Sequence, residues 1–441
     1  MALTDTAPAD ELVACTVEVS EGAARDPLAW LTCAPPGIER WFWETPEDDT
    51  SWVGLGCAAA VMLSGPGRFT EAAAVARDLL DGLDVDAPTG APLPRLAAGF
   101  AFEPDGGRDS WLAFGGGRMV LPAVQILRHG GRTWLTSVAG PTVTVPGPDA
   151  PPPDVPADAD PVRWASTAER DMYRHLVRMA LAAIGRGELT KAVPCRAIRV
   201  ERRPDLPRLL ATLRATFPAC ATFCVDNGTA VFVGATPELL AAVRSGHLDT
   251  AALAGSAPRH PVGAIDDALG QGLITSPKEQ AEHAVVVDAI VDALRGLGLT
   301  PVLPDGPALL RLHGIQHLHT PIQAELCSGI GLLDMVDALH PTPAVSGSPT
   351  RRAVELRHLH EDLDRGWFAG PVGWLNADGD GEFRVALRSA LVDADGTTLF
   401  AGAGIVAGSD PDRELIETEV KLGALLGPIL AASAPATGAG R

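Results

Sequence analysis

Positive charge is what this chain lacks most: 35 Lys and Arg stand against 55 Asp and Glu, a formal net charge of −20 at pH 7. An acidic surface repels phosphate backbones, which excludes nucleic acid as a partner. It also means that an anionic ligand must be met by local cations and not by the overall field. No apolar run reaches the roughly 18 residues a membrane helix needs, so no membrane span is expected. Residues 1–19 carry acids and no basic stretch, which predicts no secretory signal. Cysteine is sparse and odd in number, seven at scattered positions. Only Cys220 and Cys224 lie close together, and a lone C-x3-C without a second cluster is a poor zinc signal. Plain buried thiols in a reducing compartment are expected, hence a cytoplasmic protein.

Apolar residues are plentiful, 46% of 441. That supports a large core and excludes a disordered chain. Turn residues divide the sequence into short apolar runs. Thr70 is placed to cap a helix over residues 71–80, and strands are predicted over 96–102, 119–127 and 133–138. Residues 145–161 are rich in Pro, Asp and Ala and predict a surface loop within one folded unit. Beyond it, Met172, Leu176, Met179, Ala180 and Ala183 recur at helical spacing from a start at Ser166 or Thr167. A strand over 189–200 follows, then a helix over 207–216 and strands over 221–225, 229–233, 239–243 and 247–252. Long helices are predicted over 277–297 and 411–426, the second with Asp410 at its N-cap and Pro411 at its first position. Strands over 372–376, 382–391 and 398–406 lie between them. Strands that come mostly in hairpins, with helices grouped between, predict an α+β fold with large antiparallel sheets.

Several residues could carry chemistry. Glu279 and Glu282 share one helix face; Glu414, Glu417 and Lys421 share another. Two helices offering paired carboxylates suit Mg²⁺, which takes hard oxygen ligands, often one or two carboxylates, and keeps several waters. By spacing alone, however, such faces are usually solvated. Lys191 lies among β-forming residues, where a lysine ordinarily faces solvent; turned into a cleft it can act as a general base. Glu238 follows Gly234-Ala235-Thr236-Pro237 at a strand-to-strand junction, either as a surface turn residue or, beside apolar walls, as a protonated acid. Glycine-rich turns are expected at 254–256 and 401–404, where backbone N–H groups can approach an anion. Neither has the spacing of a nucleotide-binding fingerprint.

Nine ordered blocks go further: GELTKAVPCR at 187–196, FVGATPELL at 232–240, ALAGSAPR at 252–259, SPKEQAEH at 276–283, HLHT at 317–320, LHPTPAVSGSP at 339–349, FAGPVGW at 368–374, FRVALRSA at 383–390 and FAGAGIVAGSDPDRELIETEVKL at 400–422. In these the chain resembles the chorismate-utilising enzymes, which include isochorismate synthases, salicylate synthases and the large subunits of anthranilate synthases. The blocks span roughly residues 165–430. The first 160 residues carry only Phe42-Trp43 and Gly99-Phe100-Ala101-Phe102 in common, and 431–441 is taken as a tail.

The resemblance implies one unit of two facing antiparallel sheets with helices outside and the active site in a central cleft. It implies that Lys191 activates the water that attacks C2 of chorismate, and that Glu238 protonates the departing C4 hydroxyl. It makes Glu282 and Glu417 ligands of Mg²⁺, with Glu279 and Glu414 supporting the metal through water. Arg388, Lys421 and the backbone at Gly402 and Gly404 match groups that hold a substrate carboxylate; His317 stands beside the ring, and Gly255 and Ser256 line the same pocket. Lysine at 191, where ammonia-using relatives carry glutamine, implies water as nucleophile. Ala344 and Phe368 resemble the synthases that stop at isochorismate; salicylate synthases carry threonine and commonly tyrosine there. Val345 departs from the leucine usual in isochorismate synthases, and Pro194 interrupts a strand, which therefore lies at an edge or bulges. An isochorismate synthase is thus expected, with a salicylate synthase and a silent chorismate-binding partner subunit as alternatives. A monomer is expected, in transient contact with an enzyme that consumes isochorismate, and the product would feed siderophore, menaquinone or antibiotic synthesis.

Overall fold

The computed structural model describes residues 12–19, 22, 25–35, 37–138, 147–148 and 167–433. The Pro-rich stretch, apart from Gly147 and Pro148, and the last eight residues lie outside these. Two sheets dominate. An 11-stranded sheet takes Val13–Val19, Arg40–Thr45, Thr50–Leu55, Asp84–Asp86, Val124–His129 and Arg132–Val138 from the first part of the chain. From the second it takes Cys195–Val200, Ala221–Asp226, Val231–Thr236, Ser389–Asp393 and Gly396–Gly402. A 9-stranded sheet joins Ala59–Leu63, Leu96–Phe100 and Gly117–Leu121 to Leu239–Arg244, His247–Pro258, Ala308–Arg311, Ile315–Glu325, Pro371–Leu375 and Gly381–Val385. Pairing is antiparallel except between Val13–Val19 and Asp84–Asp86. In both sheets a strand from the first part hydrogen-bonds to one from the second: Trp41 lies opposite Val225, and Ala97 opposite Trp374. The α+β architecture is the expected one.

The strand period of two decides what each face buries. Trp41 and Trp43 enter the core between the sheets with Phe100, Phe232 and Phe383. Phe42, between them, points to the other face and packs with Leu209, Leu213, Leu425 and Ile429 of the Leu206–Thr216 and Pro411–Ser433 helices. The 11-stranded sheet is therefore apolar on both sides.

Local departures from the sequence expectations have local causes. The helix over 71–80 runs as Arg68–Asp81, with Gly67 at its N-cap; Thr70 falls inside its first turn. The Thr167–Gly185 helix buries Tyr173 and Val177 beside Leu176, Ala180 and Ala183, whereas Met172 is exposed. The strand expected over 119–127 is two, parted at Pro122, which can give no ladder N–H. Its halves belong to different sheets. The one expected over 382–391 also divides, at Ala386–Arg388, and also changes sheet. Residues 254–256 form no turn. They lie within His247–Pro258, where Gly255, at φ +76°, bulges and shifts the register against Ile315–Glu325. No disulfide joins the seven cysteines, and Cys15 and Cys327 are exposed rather than buried.

Candidate active site

The chain crosses from one sheet to the other at Pro237–Glu238 and again at Ala386–Arg388, and both crossings open on one cavity. The crossings are fastened together. Thr236 Oγ1 donates to the Val385 carbonyl at 2.6 Å, and the Val385 N–H donates to the Glu238 carbonyl at 3.0 Å. The cavity and its open mouth together hold about 820 Å³ of empty space. Around it stand Lys191, Glu238, Gly255, Ser256, Glu282, His317, Ala344, Val345, Phe368, Arg388, Gly402, Gly404, Glu417 and Lys421. Fourteen of the sixteen candidate residues thus meet there. The other two, Glu279 and Glu414, line an adjoining groove that shares Ser256 and Glu417 with the cavity.

Lys191 is fully buried, against the expectation from spacing that it faces solvent. It stands on a two-residue strand, Lys191–Ala192, paired to Gly347–Ser348, and Pro194 separates this piece from the edge strand Cys195–Val200. The single strand expected over 189–200 is therefore interrupted after Ala192. Its Nζ lies 2.9 Å from Glu282 Oε1, an ion pair without hydrogen-bond alignment, so Nζ has no hydrogen-bond partner among the described residues. A buried polar nitrogen left without a hydrogen-bond partner on a cavity wall is costly unless a ligand or water meets it.

Glu238 is buried as well, and burial pushes its carboxyl up to about 7 although Lys191 and Lys421 pull it down. A carboxylic acid in that range holds its proton near neutrality and can donate it. Arg388 has a backbone φ of +44° and points its guanidinium at His317 Nε2, 3.4 Å away, and Cys220 Sγ, 3.8 Å. No carboxylate pairs with it among the described residues. His317 Nδ1 lies 3.2 Å from the Gly255 carbonyl and 3.1 Å from Ser256 Oγ. Burial, then Arg388 and Lys421, hold its pKa well below the usual range. The neutral ring donates from Nδ1 and accepts at Nε2.

The carboxylates come from two helix N-termini, whose dipoles favour negative charge. Ser276 caps Pro277–Gly296 and Asp410 caps Pro411–Ser433. Each glutamate leans on a lysine: Glu282 on Lys191, Glu417 on Lys421 at 2.7 Å, and both Glu279 and Glu414 on Lys278, at 3.3 and 3.0 Å. Burial raises Glu279 and Glu414, with Lys278 opposing; burial also acts to raise Glu417, but Lys421 prevails and its pKa falls. Among the described residues no three acidic, His or Cys side chains already converge on a metal point. Oxygen donors from two facing helices nonetheless fit Mg²⁺, which takes few direct carboxylates and fills its shell with water.

Gly404 has a packing reason to be glycine: a Cβ there would collide with Glu282 Oε1 and Lys191 Cε. Gly404→Ala is expected to retain the fold and lose most activity, because the side chains it displaces belong to the cavity; comparing melting curves with turnover checks this. Lys278, Phe400 and Cys220 were missed by sequence reasoning. Lys278 sits in the quoted block SPKEQAEH beside Glu279, so its block was a signal. Phe400, stacked on Phe368 with ring centroids 5.1 Å apart, opens the block quoted at 400–422 and had the same signal; Cys220 carried none.

An acidic protein that sets Lys191, Arg388 and Lys421 round one cleft between two antiparallel sheets is equipped to take in a small anionic substrate. The chain belongs to the chorismate binding enzyme family, which it matches over residues 2–141 and 150–430. That match includes the N-terminal part, where motif blocks are few. It is 36% identical to a salicylate biosynthesis isochorismate synthase of Pseudomonas aeruginosa, over 94% of this chain and 89% of that one. It is 29% identical to the isochorismate synthase MenF of Bacillus subtilis, over 90% and 89%. Among solved structures, the menaquinone-specific isochorismate synthase MenF of Escherichia coli superposes with a TM-score of 0.78 at 26% identity, covering 97% of this chain and 96% of that one. Among the described residues no helix is long and apolar enough to cross a membrane.

Proposed function

We propose that the protein is an isochorismate synthase, converting chorismate to isochorismate with Mg²⁺ bound. The observation that carries this reading is the placing of Lys191, with its partnerless Nζ, and Glu238, with a carboxyl titrating near 7, on one cavity. The names of the relatives support the same reaction. Lys191, acting as the free amine, takes a proton from water as the water oxygen bonds to C2, the ring double bonds shift, and Glu238 gives its proton to the C4 hydroxyl as that C–O bond breaks. One water enters and one leaves, so substrate and product are isomers. Arg388 and Lys421 are the cations for a substrate carboxylate, and neutral His317 orients the Arg388 fork. Glu282 and Glu417 would hold Mg²⁺ directly, with Glu279 and Glu414 behind them. The ion supplies a positive charge for the ring carboxylate. The walls exclude bulk water, which strengthens these charge interactions.

Two predictions follow from the roles of single side chains. Glu238 must be protonated to act, so kcat/KM is expected to fall as pH rises through about 7. The folded-state pKa is raised, so its stabilising contribution is full below about 4.5 and lost as pH rises through about 7. Glu238→Gln, which cannot ionise, should therefore melt higher than the native protein at pH 8 while losing turnover. An unchanged melting temperature there would contradict a neutral, buried Glu238. At Ala344, on the cavity wall, threonine is expected to divert part of the product to salicylate and pyruvate, as read by chromatography. An unchanged product ratio would remove Ala344 from control of the outcome.

A further inference from the structure

Outside the cavity lies a buried ion pair that the proposed chemistry does not use. Arg365 and Glu361 have side chains 2% and 3% exposed, and the guanidinium is held by both carboxylate oxygens, Nε to Oε1 at 2.7 Å and NH2 to Oε2 at 3.0 Å. The pair also satisfies backbone groups on two adjoining segments of the cavity wall, 193–195 and 345. Where Pro194 breaks the strand, Arg365 NH2 donates to the Val193 carbonyl at 2.8 Å and the Cys195 N–H donates to Glu361 Oε2 at 2.9 Å. Arg365 NH1 donates to the Val345 carbonyl at 2.9 Å, on the neighbouring segment whose Ser346 carbonyl accepts from the Val193 N–H. The guanidinium also lies over the Phe102 ring, 4.6 Å from its centroid, so the N-terminal part of the chain closes its open face.

We propose that Glu361 and Arg365 are a positioning pair, which fixes the end of the Lys191 strand and the Ala344–Val345 wall at the separation the reaction needs. This rests on the reading of Lys191 as base. One residue, Ala192, separates Lys191 from Val193; the strand bearing the lysine pairs Lys191 with Ser348 and Ala192 with Gly347 on one side, and Ala192 bridges to Ile405 on the other. Past Ala192 the regular pairing stops at the Val193 N–H, which donates to the Ser346 carbonyl at 3.3 Å, and the pair takes up the Val193 carbonyl and the Cys195 N–H that follow. Leucine or methionine in place of the pair would fill the space, yet leave the Val193 and Val345 carbonyls and the Cys195 N–H without partners.

Two variants test this, Arg365→Lys and the exchanged pair Glu361→Arg with Arg365→Glu. Lysine keeps the charge but cannot span both carbonyls and the carboxylate. The exchanged pair keeps the attraction but presents donors to an N–H and acceptors to carbonyls. For Arg365→Lys, kcat is expected to fall by about 10²-fold with little change in KM, the size of effect that a misplacement of about 1 Å produces. Amide hydrogen exchange is expected to quicken at residues 191–195 and 344–346 and to stay unchanged in the Ala221–Asp226 strand. The exchanged pair should regain thermal stability relative to Glu361→Arg alone without regaining kcat. Recovery of kcat along with stability, unchanged exchange in the two segments, or quickening spread over the whole fold would each overturn the proposal. A native enzyme that leaves chorismate untouched would sink the isochorismate reading alone; exchange at the two segments then decides for or against the pair.

Discussion

Lys191→Ala is expected to lower kcat by about 10²–10⁴-fold, the contribution a positioned general base makes. Its KM for chorismate should change far less, because Arg388 and Lys421 remain to hold the carboxylate. The expectation rests on the geometry of the lysine. Nζ is fully enclosed, faces the cavity, and touches Glu282 at 2.9 Å without a hydrogen bond. Removing it also removes the cation that offsets Glu282, so the variant should bind Mg²⁺ at least as well as the native protein. Measuring metal binding by calorimetry beside turnover separates a lost base from a collapsed site. A variant that retained native kcat would contradict the assignment of the base.

The second large effect is expected on metal removal. Chelation should abolish turnover and Mg²⁺ should restore it, and Glu282→Gln or Glu417→Gln should weaken metal binding together with activity. The physical reason lies in the charge balance of the cleft. Besides Glu238, whose proton keeps it neutral, four glutamates face it or its adjoining groove, and an incoming dianion adds to them. Lys191, Lys278 and Lys421 answer the carboxylates one for one or two, leaving Arg388 as a cation without a carboxylate of its own among the described residues. A divalent ion would release those lysines from the glutamates and make the cleft attractive to an anion. Full activity in the presence of a chelator would show that the lysines alone suffice.

Much of this site was legible in the sequence, but by resemblance and not by pattern. Spacing placed Lys191 and the paired glutamates on solvated faces; only the ordered blocks turned them inward. The reason is that neither crossing between the sheets leaves a periodic signal. At Pro122 and again at Ala386–Arg388 the sequence reads as one continuous strand, and the break that aims Arg388 into the cavity rests on a positive φ at an ordinary residue. Gly255 reads as a turn because a bulge and a turn ask the same freedom of glycine. The helix ends were clearer. Pro277, Asp410 and Pro411 announce where the carboxylates begin, since helix starts are local chemistry. The Arg365–Glu361 pair could not be read at all, because its partners are backbone groups brought together only by the fold.

The most direct test is to incubate the purified protein with chorismate and Mg²⁺, with and without ammonium, and identify the products by NMR. Isochorismate as the main product, formed equally without ammonium, is the predicted result. Salicylate with pyruvate as the main product, or chorismate left unchanged, would contradict the account.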